Sequence, residues 1–227
     1  EPAIGADAGD TLPAANANEQ QAVIDEPSAA ARLAALDKIA AYAESNGVDT
    51  STYPAPDAAD FAAAGVTGVT AENNLAAVNA LLAATGAGSE YGDADTRAKV
   101  QAFVKQAAIN KIAAYAEADG QSLDVPTYQD FLNTEINPTL SYTHNQVTET
   151  FAFTDDELAF ANALFAVSSI KSVNSDSTQD IQDVLNANFH RLRALSKFVD
   201  YMLSEPGVVK ADFVLKDFVD AGLVRVT

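Results

Sequence analysis

Lys38-Ile39-Ala40-Ala41-Tyr42-Ala43-Glu44 recurs without change, 73 residues later, as Lys111-Ile112-Ala113-Ala114-Tyr115-Ala116-Glu117. Chance does not supply an identical heptapeptide, so the chain reads as copies of one unit. Three further landmarks follow in the same order. Pro56-Asp57-Ala58-Ala59-Asp60-Phe61 matches Pro126-Thr127-Tyr128-Gln129-Asp130-Phe131 at its Pro, Asp and Phe. Leu75 to Leu81 matches Leu158 to Leu164, and Asp95 to Val104 matches Asp176 to Leu185. A third copy opens at Leu195-Ser196-Lys197-Phe198-Val199-Asp200-Tyr201 and runs to Asp217-Phe218 and Gly222. Periods of this length, with several helices in each, describe an array of small helical modules.

Each landmark has a physical reading. Leu36, Ile39 and Tyr42 lie three residues apart, on one stripe of a helix, as do Ile109, Ile112, Tyr115 and Leu195, Phe198, Tyr201. Ala fills the positions between, favouring helix and letting neighbouring helices approach closely. Asn46-Gly47 and Asp119-Gly120 predict left-handed C-caps. Pro56 and Pro126 are expected in the first turn of a short helix carrying Phe61 or Phe131, which in copy one ends at Gly65. Thr70-Ala71-Glu72-Asn73 and Thr154-Asp155-Asp156-Glu157 read as N-caps of a helix that buries Leu75, Val78, Leu81 and Leu82, or Leu158, Ala161, Leu164 and Phe165. No breaker separates Asp95 from the second heptapeptide, so one continuous helix is expected from about 95 to 118, and likewise one from about 176 to 204.

Copy two departs from copy one where Val66-Thr67-Gly68-Val69 is replaced by residues 137–153, a stretch about 13 residues longer. It is rich in Thr, aromatic and β-branched residues alternating on both sides of His144-Asn145, which predicts a β-hairpin inserted into a helical array. The expected fold class is therefore all-α: tandem three- to four-helix modules sharing long connecting helices, with one inserted β-hairpin-like loop. The expected divisions are a flexible acidic linker at 1–19, module one at 20–110, module two at 111–194 with its insertion at 137–153, and a partial module three at 195–227.

Composition narrows the function. The 227 residues include 46 Ala and no Cys, and 48% are hydrophobic, enough apolar surface for a packed core. The net charge is −19, and the first 96 residues hold only Arg32 and Lys38 as bases against fifteen acids. Nucleic acid and anionic membrane surfaces need Lys and Arg clusters, so neither is an expected partner. Without Cys, disulfides, Cys-ligated zinc, iron–sulfur clusters and thiol catalysis are excluded. No run approaches the ~18 apolar residues of a spanning helix and no signal peptide is visible, so no membrane insertion is expected. A chain that opens on Glu and stops inside a repeat reads as a piece of something longer.

Chemistry-bearing motifs are sparse. His144 and His190 lack metal-site spacing, and no P-loop, GxGxxG or GxSxG occurs. Asn174, Asp176, Thr178 and Asp180 place oxygens at alternate positions as a calcium loop does, but the central Gly is missing and Leu185 stands at position 12. With the shorter pair Asp93 and Asp95, they read more simply as helix N-caps, and no catalytic, cofactor or metal residue is assigned. Asp60, Asp130 and Asp217, each before a Phe, read as solvated or helix-bonding neighbours of a core aromatic. The candidate ligand contacts are Tyr142, His144 and Phe151 on the insertion, because long loops on rigid scaffolds commonly carry binding.

The phrases LDKIAAYAESNG (Leu36 to Gly47), DFAAAGVTGVTAEN (Asp60 to Asn73) and NLAAVNAL (Asn74 to Leu81) resemble the Ala-rich helical GA-like repeat modules of very large bacterial surface or secreted proteins, many of them adhesin-like. The likeness covers about 20–110 closely and 111–227 more loosely. It implies export to the cell surface, a long tandem array, and a role in adhesion or spacing. The expected function is a non-enzymatic, semi-rigid stalk, monomeric as this piece. The competing expectation is a module that binds a host or cell-surface protein through 137–153.

Overall fold

The computed structural model describes residues 28–85, 94–122, 124–144, 146–166, 175–203 and 219–220. The expected linker at 1–19, Asp93, Asn174, Asp217 and the third copy beyond Leu203, apart from residues 219–220, lie outside the described residues, as do the side chains of His144, Phe198 and Tyr201. Among the described residues the chain is mostly helical, with one two-stranded antiparallel hairpin. In order come α1 (Ala29–Glu44), α2 (Ala58–Ala63), α3 (Leu75–Thr85), α4 (Arg97–Glu117), α5 (Tyr128–Asn133), β1 (Thr139–His144), β2 (Val147–Ala152), a 3-10 turn (Asp155–Glu157), α6 (Leu158–Phe165), α7 (Thr178–Ala187) and α8 (Phe189–Leu203).

Among the described residues two hydrophobic clusters form. The first gathers Ile39 and Tyr42 of α1, Phe61 of α2, Val78 and Leu82 of α3, and Val100, Phe103, Val104 and Ala107 of α4. The second gathers Ile109, Ile112 and Tyr115 of α4, Phe131 of α5, Leu140 and Phe153 at the hairpin, Leu164 and Phe165 of α6, and Ile181, Leu185, Phe189 and Leu192 beyond. As the sequence predicts, α4 is a single helix, started by Thr96 accepting from the Lys99 amide, and it serves both clusters. At about 100° per residue, its first set of buried residues points about 140° away from its second set around the helix axis. The two clusters therefore sit on nearly opposite sides of one rod.

The second long helix is not continuous. Asn188, at φ −102° and ψ 14°, leaves the helical well between α7 and α8. Its Nδ2 donates to the Val184 carbonyl at 2.9 Å beside its own backbone amide, which reaches the same oxygen at 3.2 Å, so side chain and main chain together close the end of α7. The interruption is followed at once by Phe189, fully buried in the second cluster.

The C-caps are where the sequence puts them: Asn46 and Gly47 have φ of 53° and 63°, Asp119 and Gly120 of 51° and 75°. A Cβ on Gly47 would lie 2.8 Å from the Ala83 Cβ, and one on Gly120 would lie 2.4 Å from the Ala166 Cβ, so the first turn presses against α3 and the second against the C-terminal end of α6. Two N-termini differ from expectation. Pro56 and Pro126 stand one residue before the N-caps Asp57 and Thr127, outside the first turn, because the capping side chain needs the extended backbone position that follows them. Thr70 closes a turn with Asn73 and does not cap α3, which begins at Leu75 after Asn74 has turned left-handed at φ 64°. The Thr154 capping box with Glu157 forms as predicted.

Candidate functional site

The polar groups that converge most closely lie where the Gly68–Asn74 turn meets α4 and α5. Asp130, third residue of α5, has its side chain fully buried. Its Oδ2 accepts from the Thr127 amide at 2.7 Å and the Thr127 hydroxyl at 2.9 Å, and pairs with Lys111 Nζ at 2.9 Å. Its Oδ1 accepts from Asn74 Nδ2 at 2.8 Å. Lys111 also reaches Asp124 at 3.0 Å and Asn73 Oδ1 at 3.4 Å. Asn73 Nδ2 donates to Thr127 Oγ1 at 3.3 Å, and Asn133 Nδ2 donates to the Gly68 carbonyl at 2.9 Å. Gly68 is required here, since a Cβ would lie 2.0 Å from Asn133 Oδ1. A small polar cleft of about 180 Å³, lined by Ala71 to Ala77, Lys111 and Asp124, borders the network. Burial by itself lowers the pKa of Lys111; the hydrogen bonds and charges of Asp130 and Asp124 outweigh it and hold it above the ordinary lysine value.

These residues show what the sequence reading missed. Asp130 is helix-bonding, as expected, but it is not solvated: the Lys of the repeated heptapeptide neutralises it. At the corresponding positions Lys38 pairs with Asp60 at 2.5 Å. Other contacts also fall at corresponding positions. Asn79 Nδ2 donates to the Pro56 carbonyl and Asn162 Nδ2 to the Pro126 carbonyl, both at 2.8 Å, each leaving its Oδ1 buried without a partner among the described residues. The Gln101 Oε1 accepts from the Thr67 amide at 3.0 Å, and the Gln182 Oε1 from the Asn137 amide at 2.7 Å. The signal was in the sequence: Lys, Asp, Asn and Gln recur at corresponding places in the two copies.

The hairpin is present, with His144 paired to Val147 across a two-residue turn and Gln146 at φ 64°. Side chains alternate as a strand requires. Leu140 is fully buried, Tyr142 and Phe151 are half-buried, and Thr139, Ser141, Thr143, Thr148 and Thr150 are exposed on the other face. Tyr142 stacks on Phe189 with centroids 6.1 Å apart and meets the His190 ring edge-on at 4.3 Å, while Phe151 meets Phe189 edge-on at 6.3 Å. The hairpin is also tied to the helices beside it: the Ser141 amide donates to Asn186 Oδ1 at 3.2 Å, and the Arg193 side chain pairs with the Glu149 carboxylate at 2.5 Å. Of the three candidate contacts, then, Tyr142 and Phe151 are brought together over Phe189. His144 is placed at the strand end, its side chain outside the described residues.

The acidic clusters flank the caps and do not form them: the N-caps are Thr96 for α4 and Ser177 for α7, Asp95 and Asp176 stand just before them, and Asp180 lies in the first turn of α7. Ser177 starts α7 by accepting from the Asp180 amide at 3.1 Å, and its hydroxyl donates to the Asp180 carboxylate. A hydrogen bond with Asp180, burial and the nearby like charge raise Asp176. Asp95 pairs with Lys99 at 2.8 Å, a bond that lowers its pKa. Among the described residues no group of three His, Asp or Glu side chains is arranged to hold a metal, and no helix is long and apolar enough to cross a membrane.

No family model matches this chain, and no curated protein or solved structure proved similar to it.

Proposed function

We propose that this chain is a non-enzymatic tandem-repeat spacer of a large extracellular bacterial protein, holding whatever lies at its two ends at a fixed separation. The observation that carries the proposal is α4, one helix of 21 residues whose two ends are buried in different clusters. A joint made of continuous helix resists bending far more than a Gly/Ser linker does. The Lys111–Asp130–Asn74 network supports the same reading, because it braces the first unit's turn against the second unit's helix. The recurring pairs Lys38–Asp60 and Lys111–Asp130 support the modular division at about residue 110. Adhesion and export rest on the resemblance to GA-like modules, and the net charge of −19 suits solubility outside the cell.

The test is small-angle scattering of the chain, with and without millimolar calcium. A compact chain of this length has a radius of gyration of roughly 17 Å. A rod-like profile well above that value, unchanged by calcium, is expected. A value near the compact estimate would overturn the spacer.

One observation favours a second reading, contact with a host or cell-surface protein through 137–153. The outer hairpin face presents five exposed hydroxyls in two aligned rows, which a fold-stabilising insertion does not need. In that reading Tyr142 and Phe151 would contribute only the parts of their rings that Phe189 leaves open. Replacing Thr143 by Lys and Thr148 by Glu, an opposite-charge pair that the two facing positions tolerate, would then abolish surface retention while leaving the chain folded with little change in melting temperature.

A further inference from the structure

We infer that the face of the first unit formed by Lys38, Asp57 and Asp60 is a docking socket for the Gly68–Asn74 turn of another module of this kind. The inference deepens the spacer reading and rests on it. Within the molecule, this turn already occupies such a socket on the second unit: Asn74 Nδ2 bonds Asp130 Oδ1, Asn73 Nδ2 bonds Thr127 Oγ1, and Asn73 Oδ1 faces Lys111. The corresponding residues on the first unit are Asp60, Asp57 and Lys38. They stand in the same local geometry, with Asp57 accepting from the Asp60 amide at 3.0 Å and Asp60 accepting from the Asp57 amide at 2.8 Å. What differs is coverage. The Lys111 and Asp130 side chains are 11% and 0% exposed, against 38% and 18% for Lys38 and Asp60. Asp60 uses Oδ2 for both Lys38 and the Asp57 amide, so Oδ1, the atom that takes Asn74 in the second unit, remains open to a donor.

The chemistry of the occupant follows from these atoms. Asp60 Oδ1 and the Asp57 carboxylate have room for further N–H donors, and Lys38, already paired with Asp60, has ammonium hydrogens left for a further acceptor. Two consecutive carboxamides supply all three, one of them donating through Nδ2 and accepting through Oδ1, provided the second residue is held left-handed as Asn74 is. Position 63 is Ala where the second unit has Asn133, so the bond to the Gly68 carbonyl is absent and the first socket binds less strongly than the second.

The identical heptapeptides permit a clean test. A chain in which residues 38–110 are duplicated in tandem joins at Lys111 without altering any local sequence, and the inserted copy's socket then faces the first copy's turn. The exposed Ala62→Ser marks the inserted copy, so that hydrogen exchange of the amides at 57–62 can be read separately in the two copies by mass. Those of the inserted copy should exchange at least about tenfold more slowly than those of the first, as expected when a hydrogen-bonded ionic contact closes over them. Asn74→Ala in the first copy should erase the difference. Equal exchange in two folded copies would overturn the socket while leaving the modular reading intact. Failure of the inserted copy to add its share of helical circular dichroism would overturn both.

Discussion

Asp60 and Asp130 hold the same place in α2 and α5, yet their side chains are 18% and 0% exposed, and their consequences differ accordingly. Asp130→Ala removes the main counter-charge of a lysine that is itself only 11% exposed, which should cost about 3 kcal/mol. Asp60→Ala should cost about 1 kcal/mol, mostly the lost capping-box bond to the Asp57 amide. Urea unfolding of the two variants checks the order. The same pairs set the pH limits. Burial would raise Asp60, but the Lys38 hydrogen bond, the Asp57 amide and the Lys38 charge together hold it below its ordinary value. Its contribution is therefore present above about pH 3.9 and lost as pH falls through the depressed value. Lys111 is raised, so its contribution is complete below about pH 10.4 and lost as pH rises through the raised value. Melting temperatures should fall at both extremes, and Lys111→Met should remove much of the alkaline limb. An alkaline limb of undiminished size in that variant would contradict the assignment. Neither pair was legible as a pair in the sequence, because Lys38 and Asp60 are 22 positions apart and only the folded turn brings them together.

At the scale of elements, legibility followed the strength of the local signal. The continuous α4 could be read because twenty-one residues pass without Gly or Pro and the apolar spacing never lapses. The hairpin could be read because alternation and β-branched residues coincide there. The break at Asn188 could not, since Asn inside a helix is unfavourable by only tenths of a kcal/mol and the deciding term is the burial of Phe189. Both legible elements make predictions. Ala108, buried on α4 where the two clusters meet, is the position at which Pro should do most harm: Ala108→Pro should cost about 3 kcal/mol or more and introduce a hinge, seen as a shorter maximum dimension in scattering. In the hairpin, Leu140→Ala should cost about 2–4 kcal/mol, because Leu140 is fully buried in the second cluster. Excising 138–152 is consequently a poor test of binding, since it empties part of a core; exposed Thr143 and Thr148 are the better targets.

At the scale of the whole molecule, the proposed spacer could owe its stiffness to either of two sources. If charge repulsion extends the chain, its size should shrink as the screening length falls from ~30 Å at 0.01 M salt to ~3 Å at 1 M. If α4 and its bracing network extend it, the radius of gyration should stay within a few per cent over that range, and scattering across a salt series decides between them. The shared helix also fixes a rotation. Because its two buried faces point about 140° apart, each further unit joined in the same way would be turned by a similar angle about the connecting helix. An array built on this joint alone would wind as a superhelix with between two and three units per turn. Any feature carried by only one kind of unit, such as a hairpin, would then be presented in successive directions around the fibre, so that it could be reached from every side.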